Sequence, residues 1–116
     1  MTYDDIVAML EETGLPFAYD HFAEGESPDP PFIVFLLPRA DDFFADDISY
    51  LPIDELHIEL YTDKKDPPLE KKVEATLQDR GLSYSRSETW IPKERMYEVL
   101  YITDVIKEDE DAQEQS

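Results

Sequence analysis

Few residues in this chain have the types and spacing that chemistry requires. His21 and His57 are the only imidazoles, so a nucleophile–His–acid relay would have to be built on one of them. Neither stands in a Gly-rich turn or a nucleophile elbow. His57 falls on the polar face of a strand beside Glu59, where a surface histidine is a simpler reading than a general base. Cysteine is absent, which removes disulfides, thiolate metal sites and a Cys nucleophile. Asp41, Asp42, Asp46 and Asp47 form the densest acidic group. They lack the alternating ligands, central glycine and distant bidentate Glu of a calcium loop. The three glycines, at 14, 25 and 81, are too sparse to make a phosphate-gripping loop. Among 29 acidic residues almost any two can meet, so no carboxylate pair has a diagnostic spacing. The expectation is therefore no catalytic residue, no cofactor and no metal.

The elements that would carry any site follow from periodicity. Tyr3, Ile6, Val7 and Leu10 repeat at i, i+3, i+4, i+7, one face of a helix over 3–13. Thr2 and Asp5 can cap its start, and Gly14 and Pro16 end it. A short strand is expected over 17–22. Residues 23–31, AEGESPDPP, can hold neither helix nor ladder. Residues 32–37 are apolar at every position, which suits a strand covered on both faces and placed centrally in the sheet. An acidic loop over 39–47 follows, then a strand pair over 48–51 and 53–62. In the second of these, Leu56, Ile58 and Leu60 alternate with His57, Glu59 and Tyr61. Asp66-Pro67-Pro68 opens a second helix with the stripe Leu69, Val73, Leu77, closed by Gly81. Strands over 83–91 and 96–106 form a hairpin across Pro92–Arg95. This order predicts an α+β domain over 1–106, a mainly antiparallel sheet with both helices packed on it. Residues 107–116, KEDEDAQEQS, read as a disordered acidic tail.

Charge bounds the partners. Ten basic residues against 29 acidic ones give a net −19 across 116 residues, a surface that repels nucleic-acid phosphates and anionic membranes. The acidic N-terminal stretch is unlike a signal peptide, and no apolar run is long enough for a bilayer. With the missing cysteines this suits a cytoplasmic setting. Candidate interface residues are Phe43 and Phe44, aromatic in an acidic loop, and Pro30 and Pro31, which stiffen theirs. Tyr97 and Tyr101 join them, on one face of a strand that is apolar on both. For each the alternative is internal packing: aromatics folded back on the core, a plain connection, a doubly covered central strand. Trp90 is read either as hairpin packing or as a partner contact.

Five segments together resemble a known group: TYDDIVAMLEETGLPFAYDHF, EGESPDPPFIVFL, FFADD, LHIELYTDKKDPPLEKKVEATL and SETWIPKERMYEVLY. They are similar to small proteins of prophages and long-tailed phages of Gram-positive bacteria, encoded among the head–tail connection and tail genes. The resemblance covers about residues 2–106. It implies a tail terminator, also called a tail-completion, minor capsid or head–tail joining protein. Such proteins are small, assemble as homo-oligomeric rings (often hexamers), cap the head-proximal end of the tail tube and join tail to head. The resemblance thus implies tail-tube and head-connector partners, and a location in the bacterial cytoplasm during assembly and then in the virion. It assigns a role to no individual residue. A ring that passes DNA should not grip it, and lumenal carboxylates would serve that end. The rival reading is an acidic DNA mimic that inhibits a nucleic-acid enzyme.

Overall fold

The computed structural model describes residues 1–38 and 53–106. The acidic loop with Phe43 and Phe44, the strand expected over 48–51 and the tail over 107–116 lie outside them. The elements run α1 (Tyr3–Glu11), β1 (Phe17–Tyr19), β2 (Phe32–Leu36), β3 (Ile53–Thr62), α2 (Pro67–Asp79), β4 (Tyr84–Ile91) and β5 (Met96–Ile106). The strands form one sheet in the order β1-β2-β3-β5-β4. Every pairing is antiparallel except β1 with β2. The fold is α+β with a mostly antiparallel sheet, as periodicity predicted. No helix among the described residues is long and apolar enough to cross a membrane.

Local chemistry sets the element ends. The Thr2 hydroxyl accepts from the Asp5 N–H at 3.1 Å while the Asp5 carboxylate accepts from the Thr2 N–H at 2.8 Å. Two of the four orphan donors of α1 are thereby satisfied. The helix stops two residues earlier than the apolar pattern suggests. Thr13 instead turns its hydroxyl back to donate to the Leu10 carbonyl at 2.7 Å, and Gly14 takes the left-handed φ of 76°. Asp66 caps α2 by accepting from the Leu69 N–H at 3.2 Å. The β4–β5 hairpin turns through Arg95, whose φ of 54° lies in the left-handed region.

Both helices pack on one face of the sheet. Ile6, Met9 and Leu10 from α1 and Val73 and Leu77 from α2 meet Ile33, Phe35, Leu56, Ile58, Leu60, Val99 and Tyr101. Two expectations for the strands change. The strand over 17–22 shortens to β1, because Asp20 enters the left-handed region at φ 66°. β2 is internal but second from the edge, and β3 is central. β2 is apolar throughout for a local reason: Phe22 packs edge-on against Phe32 at 5.4 Å and Tyr61 stacks on it at 5.2 Å, covering the side away from the helices.

Candidate functional site

The sheet has a second face, and no described element covers it as the helices cover the first. Strand register defines its rows. Val34, Glu59, Leu100 and Ser87 lie side by side, and Leu36, His57, Ile102 and Ser85 form the next row. Phe32, Tyr61, Glu98 and Thr89 complete the band at one end. Leu36, Leu100 and Ile102 are half-buried, unlike the sealed residues across the sheet, whereas Phe32 and Val34 on this face are buried. This face has a greasy centre and an acidic character, with Glu55, Glu59, Glu98 and Asp104 on its strands and, among the described residues, no strand lysine or arginine.

Its most unusual local geometry is a tyrosine between two glutamates. The Tyr61 hydroxyl lies 2.8 Å from Glu59 Oε1 and 2.8 Å from Glu98 Oε2. A phenol has one proton, so it can donate to only one carboxylate at a time. The pair is one donor short. Partial burial raises the Glu59 carboxyl above its usual range, the Tyr61 hydroxyl opposes this, and the Glu98 charge adds to the rise. Tyr61 is itself pushed up, first by burial and then by its two glutamate acceptors. On the same strand His57 Nε2 lies 2.7 Å from Glu55 Oε1, which engages the imidazole in a partly buried contact on its own strand. His21 is likewise engaged, with the adjacent Asp20.

The sequence candidates divide. Tyr101 does not belong to any surface: it is fully buried beneath α2, donates to Glu74 Oε2 at 2.8 Å and meets Tyr84 edge-on at 5.4 Å. Its hydroxyl is pushed up by burial and by Glu74. Tyr97 points to the same side but lies nearer the hairpin end, half-buried against Trp90 with ring centroids 4.7 Å apart. Trp90 remains 45% exposed, so hairpin packing accounts for only part of it. Pro30 and Pro31 are half-buried. Pro30 helps line a groove of about 530 Å³ with Pro28, Phe32, Asp63, Arg95 and Met96. Phe32, covered by Phe22 and Tyr61, and Met96 lie on the same side of the sheet, so the stiffened loop borders the uncovered part of that face. Phe43 and Phe44 lie outside the described residues, as do Asp41 and Asp42. Among the described residues no group of acids and histidines is arranged to hold a metal.

Sequence reasoning missed the Glu59–Tyr61–Glu98 contact. Period two puts Glu59 and Tyr61 on one face, but Glu98 joins them only through the register of β3 with β5, which composition does not fix. No protein-family profile, curated protein or solved structure matches the chain.

Proposed function

We propose that the chain is a structural subunit of phage tail assembly, of the tail-terminator or tail-completion type. Copies form a ring at the head-proximal end of the tail tube, stop its growth and present the surface that joins the head. The reading begins from the sequence resemblance, and one structural observation supports it most: the uncovered sheet face. A two-layer domain that leaves Leu36 on β2 and Leu100 and Ile102 on β5 half-exposed has a surface suited to burial against another chain. The acids serve as a field that keeps passing DNA unbound. On this reading the protein acts in the bacterial cytoplasm during assembly and remains in the virion.

The DNA-mimic reading draws on the same face, since Glu55, Glu59, Glu98 and Asp104 share it. A phosphate mimic has no use for the leucine and isoleucine between them, which favours an assembly interface. The test is tube length. Tail-tube protein polymerised with the chain present should give tubes of bounded length with a cap at one end in electron micrographs; without it, tubes should overgrow. Equal length distributions would overturn the terminator reading. Retention of a DNA-processing enzyme from host lysate, released by salt and competed by DNA, would favour the mimic.

A further inference from the structure

The uncovered face has a counterpart on the same molecule. The inner side of α2 buries Glu70, Val73, Thr76 and Leu77. Its outer side presents Pro68, Lys71, Lys72 and Ala75 at i, i+3, i+4, i+7, all exposed. Lys64 stands exposed just ahead of the helix. Basic residues are rare in this chain, and the stretch 64–72 concentrates them. Lys65 is spent on Glu70 and Glu88, while Lys71 and Lys72 are both exposed, with the Lys72 ammonium lying beside Gly14 just after α1. This helix face mixes small apolar groups with cations, and the sheet face mixes larger apolar groups with carboxylates.

The two surfaces lie on opposite sides of the domain, because α2 packs on one face of the sheet and the carboxylates occupy the other. We propose that the uncovered sheet face of one copy seats the Lys71–Lys72 side of α2 from the next copy, a head-to-tail contact. The neighbour's helix then covers the second face of the sheet. Such a contact is heterologous: it closes into a ring if the rotation per copy allows and otherwise runs on as a filament. The inference deepens the ring reading and rests on it only for closure.

Charge excludes the competing occupants. Two copies joined sheet face to sheet face would oppose like charges, which costs several kcal/mol by order of magnitude. Residues 39–52 carry four aspartates and one arginine, and residues 107–116 carry five acids and one lysine, so neither stretch brings the net positive charge that complements an acidic face. An incoming ammonium also supplies what the Glu59–Tyr61–Glu98 group lacks. It donates to the carboxylate that the single phenolic proton leaves unserved. The groups facing that carboxylate pair are His57 and Tyr61 on β3, Glu98 on β5 and Asp20 after β1; β2 offers only Phe32 and Val34. Among the described residues no lysine or arginine pairs with Glu59 or Glu98.

Charge exchange tests the contact directly. One variant reverses the helix side (Lys71→Glu with Lys72→Glu), the other the sheet side (Glu98→Lys with Asp104→Lys). The first sets like charge against like charge, and the second cancels the net negative charge of the sheet face, where Glu55 and Glu59 remain beside the two new lysines; each alone should self-associate at least about tenfold more weakly than wild type in sedimentation velocity. Mixed in equal amounts they alternate, and every contact is again between opposite charges, so association should return. Wild-type cysteine absence allows a second measurement that does not need a stable complex. On oxidation, Lys71→Cys with Glu98→Cys in one chain should give a ladder of multimers, whereas either cysteine alone stops at dimers. A mixture no better than its components, or no ladder, overturns the proposal. Recovered association with tube lengths unaffected would keep the contact and sink the tail reading instead.

Discussion

Glu70 offers a measurable check on how α2 is fastened to the sheet. Its carboxylate is almost sealed, with a side chain 7% exposed, yet it faces two cations, Lys65 at 2.8 Å and the Arg86 guanidinium. Removing one partner of a fully buried pair costs about 3–5 kcal/mol, because the remaining charge is stranded. Here the cations are not stranded. Lys65 is 40% and Arg86 34% exposed, so both can rehydrate. Arg86 also keeps Glu74 at 3.4 Å and Glu88 at 3.3 Å. What remains is the loss of charge-assisted hydrogen bonds, about 1.5–3 kcal/mol, and of an acid in the first helical turn, about 0.3–1 kcal/mol.

Glu70→Ala should therefore destabilise by about 2–4 kcal/mol, above a surface pair and reaching only the lower part of the fully buried range. Urea unfolding by circular dichroism reads it as a lower midpoint with an unchanged slope. Glu88→Gln, which removes an exposed partner of the same cations, should cost no more than about 1 kcal/mol. If the two variants lose the same small amount, Glu70 is an ordinary surface acid and the argument from its burial fails. A changed slope would mean that α2 has come off the sheet rather than lost a contact.

Thr2→Ala should cost about 1 kcal/mol of unfolding free energy, because it opens the reciprocal cap of α1; thermal melts that coincide with wild type would contradict this. Glu59→Gln should be the more stable protein at neutral pH. The folded-state pKa of Glu59 is raised, so wild type gains relative stability as pH falls through it, and the gap should vanish near the unfolded value of about 4.3; a pH-independent gap between the two melting curves would refute the assignment. Deleting residues 107–116 should leave the melting temperature unchanged, since the segment has no large apolar side chain to bury; a marked drop would show that it docks.

What could be read from sequence was local. The Thr2–Asp5 cap, the Asp66-Pro67-Pro68 helix start and the 96–106 hairpin strand are each written in a few neighbouring residues. Tyr101 was misassigned for a physical reason. In β5 both alternating sets are apolar, with Val99 and Tyr101 on one side and Leu100 and Ile102 on the other, so period two cannot say which side receives the helices. The Arg86–Glu70–Glu74 group around the Tyr101 hydroxyl settles it, but those residues converge only after α2 lies across β4 and β5. The parallel pairing of β1 with β2 was equally hidden. The segment 20–31 is a connection of about the dozen residues that parallel neighbours need, yet its prolines mark it only as a loop. The Lys71–Lys72 side of α2 was visible in EKKVEAT, though its meaning depends on the face it would meet.

Net charge and local complementarity make opposite demands on assembly, and salt can separate them. Each copy carries −19, so two copies repel through solvent over a distance set by the screening length. That length is about 30 Å at 0.01 M salt and about 8 Å at physiological ionic strength. The contact between α2 lysines and the sheet-face carboxylates works at hydrogen-bond range and is partly desolvated when formed, so it is screened much less. Raising salt from the lowest value should first strengthen self-association, as long-range repulsion fades before the local pairs do. Beyond physiological strength the affinity should level off or fall modestly, because the Leu100–Ile102 band still contributes apolar burial. Sedimentation velocity across a salt series reads the whole curve. Affinity that falls steadily from the lowest salt would mean that the local pairs act without significant repulsion between copies. Affinity that rises without limit would mean that they contribute nothing and the contact is apolar alone. Only the second outcome would take from the head-to-tail pairing of helix and sheet face its electrostatic basis; the first would remove the repulsion from the account and leave the pairs in place.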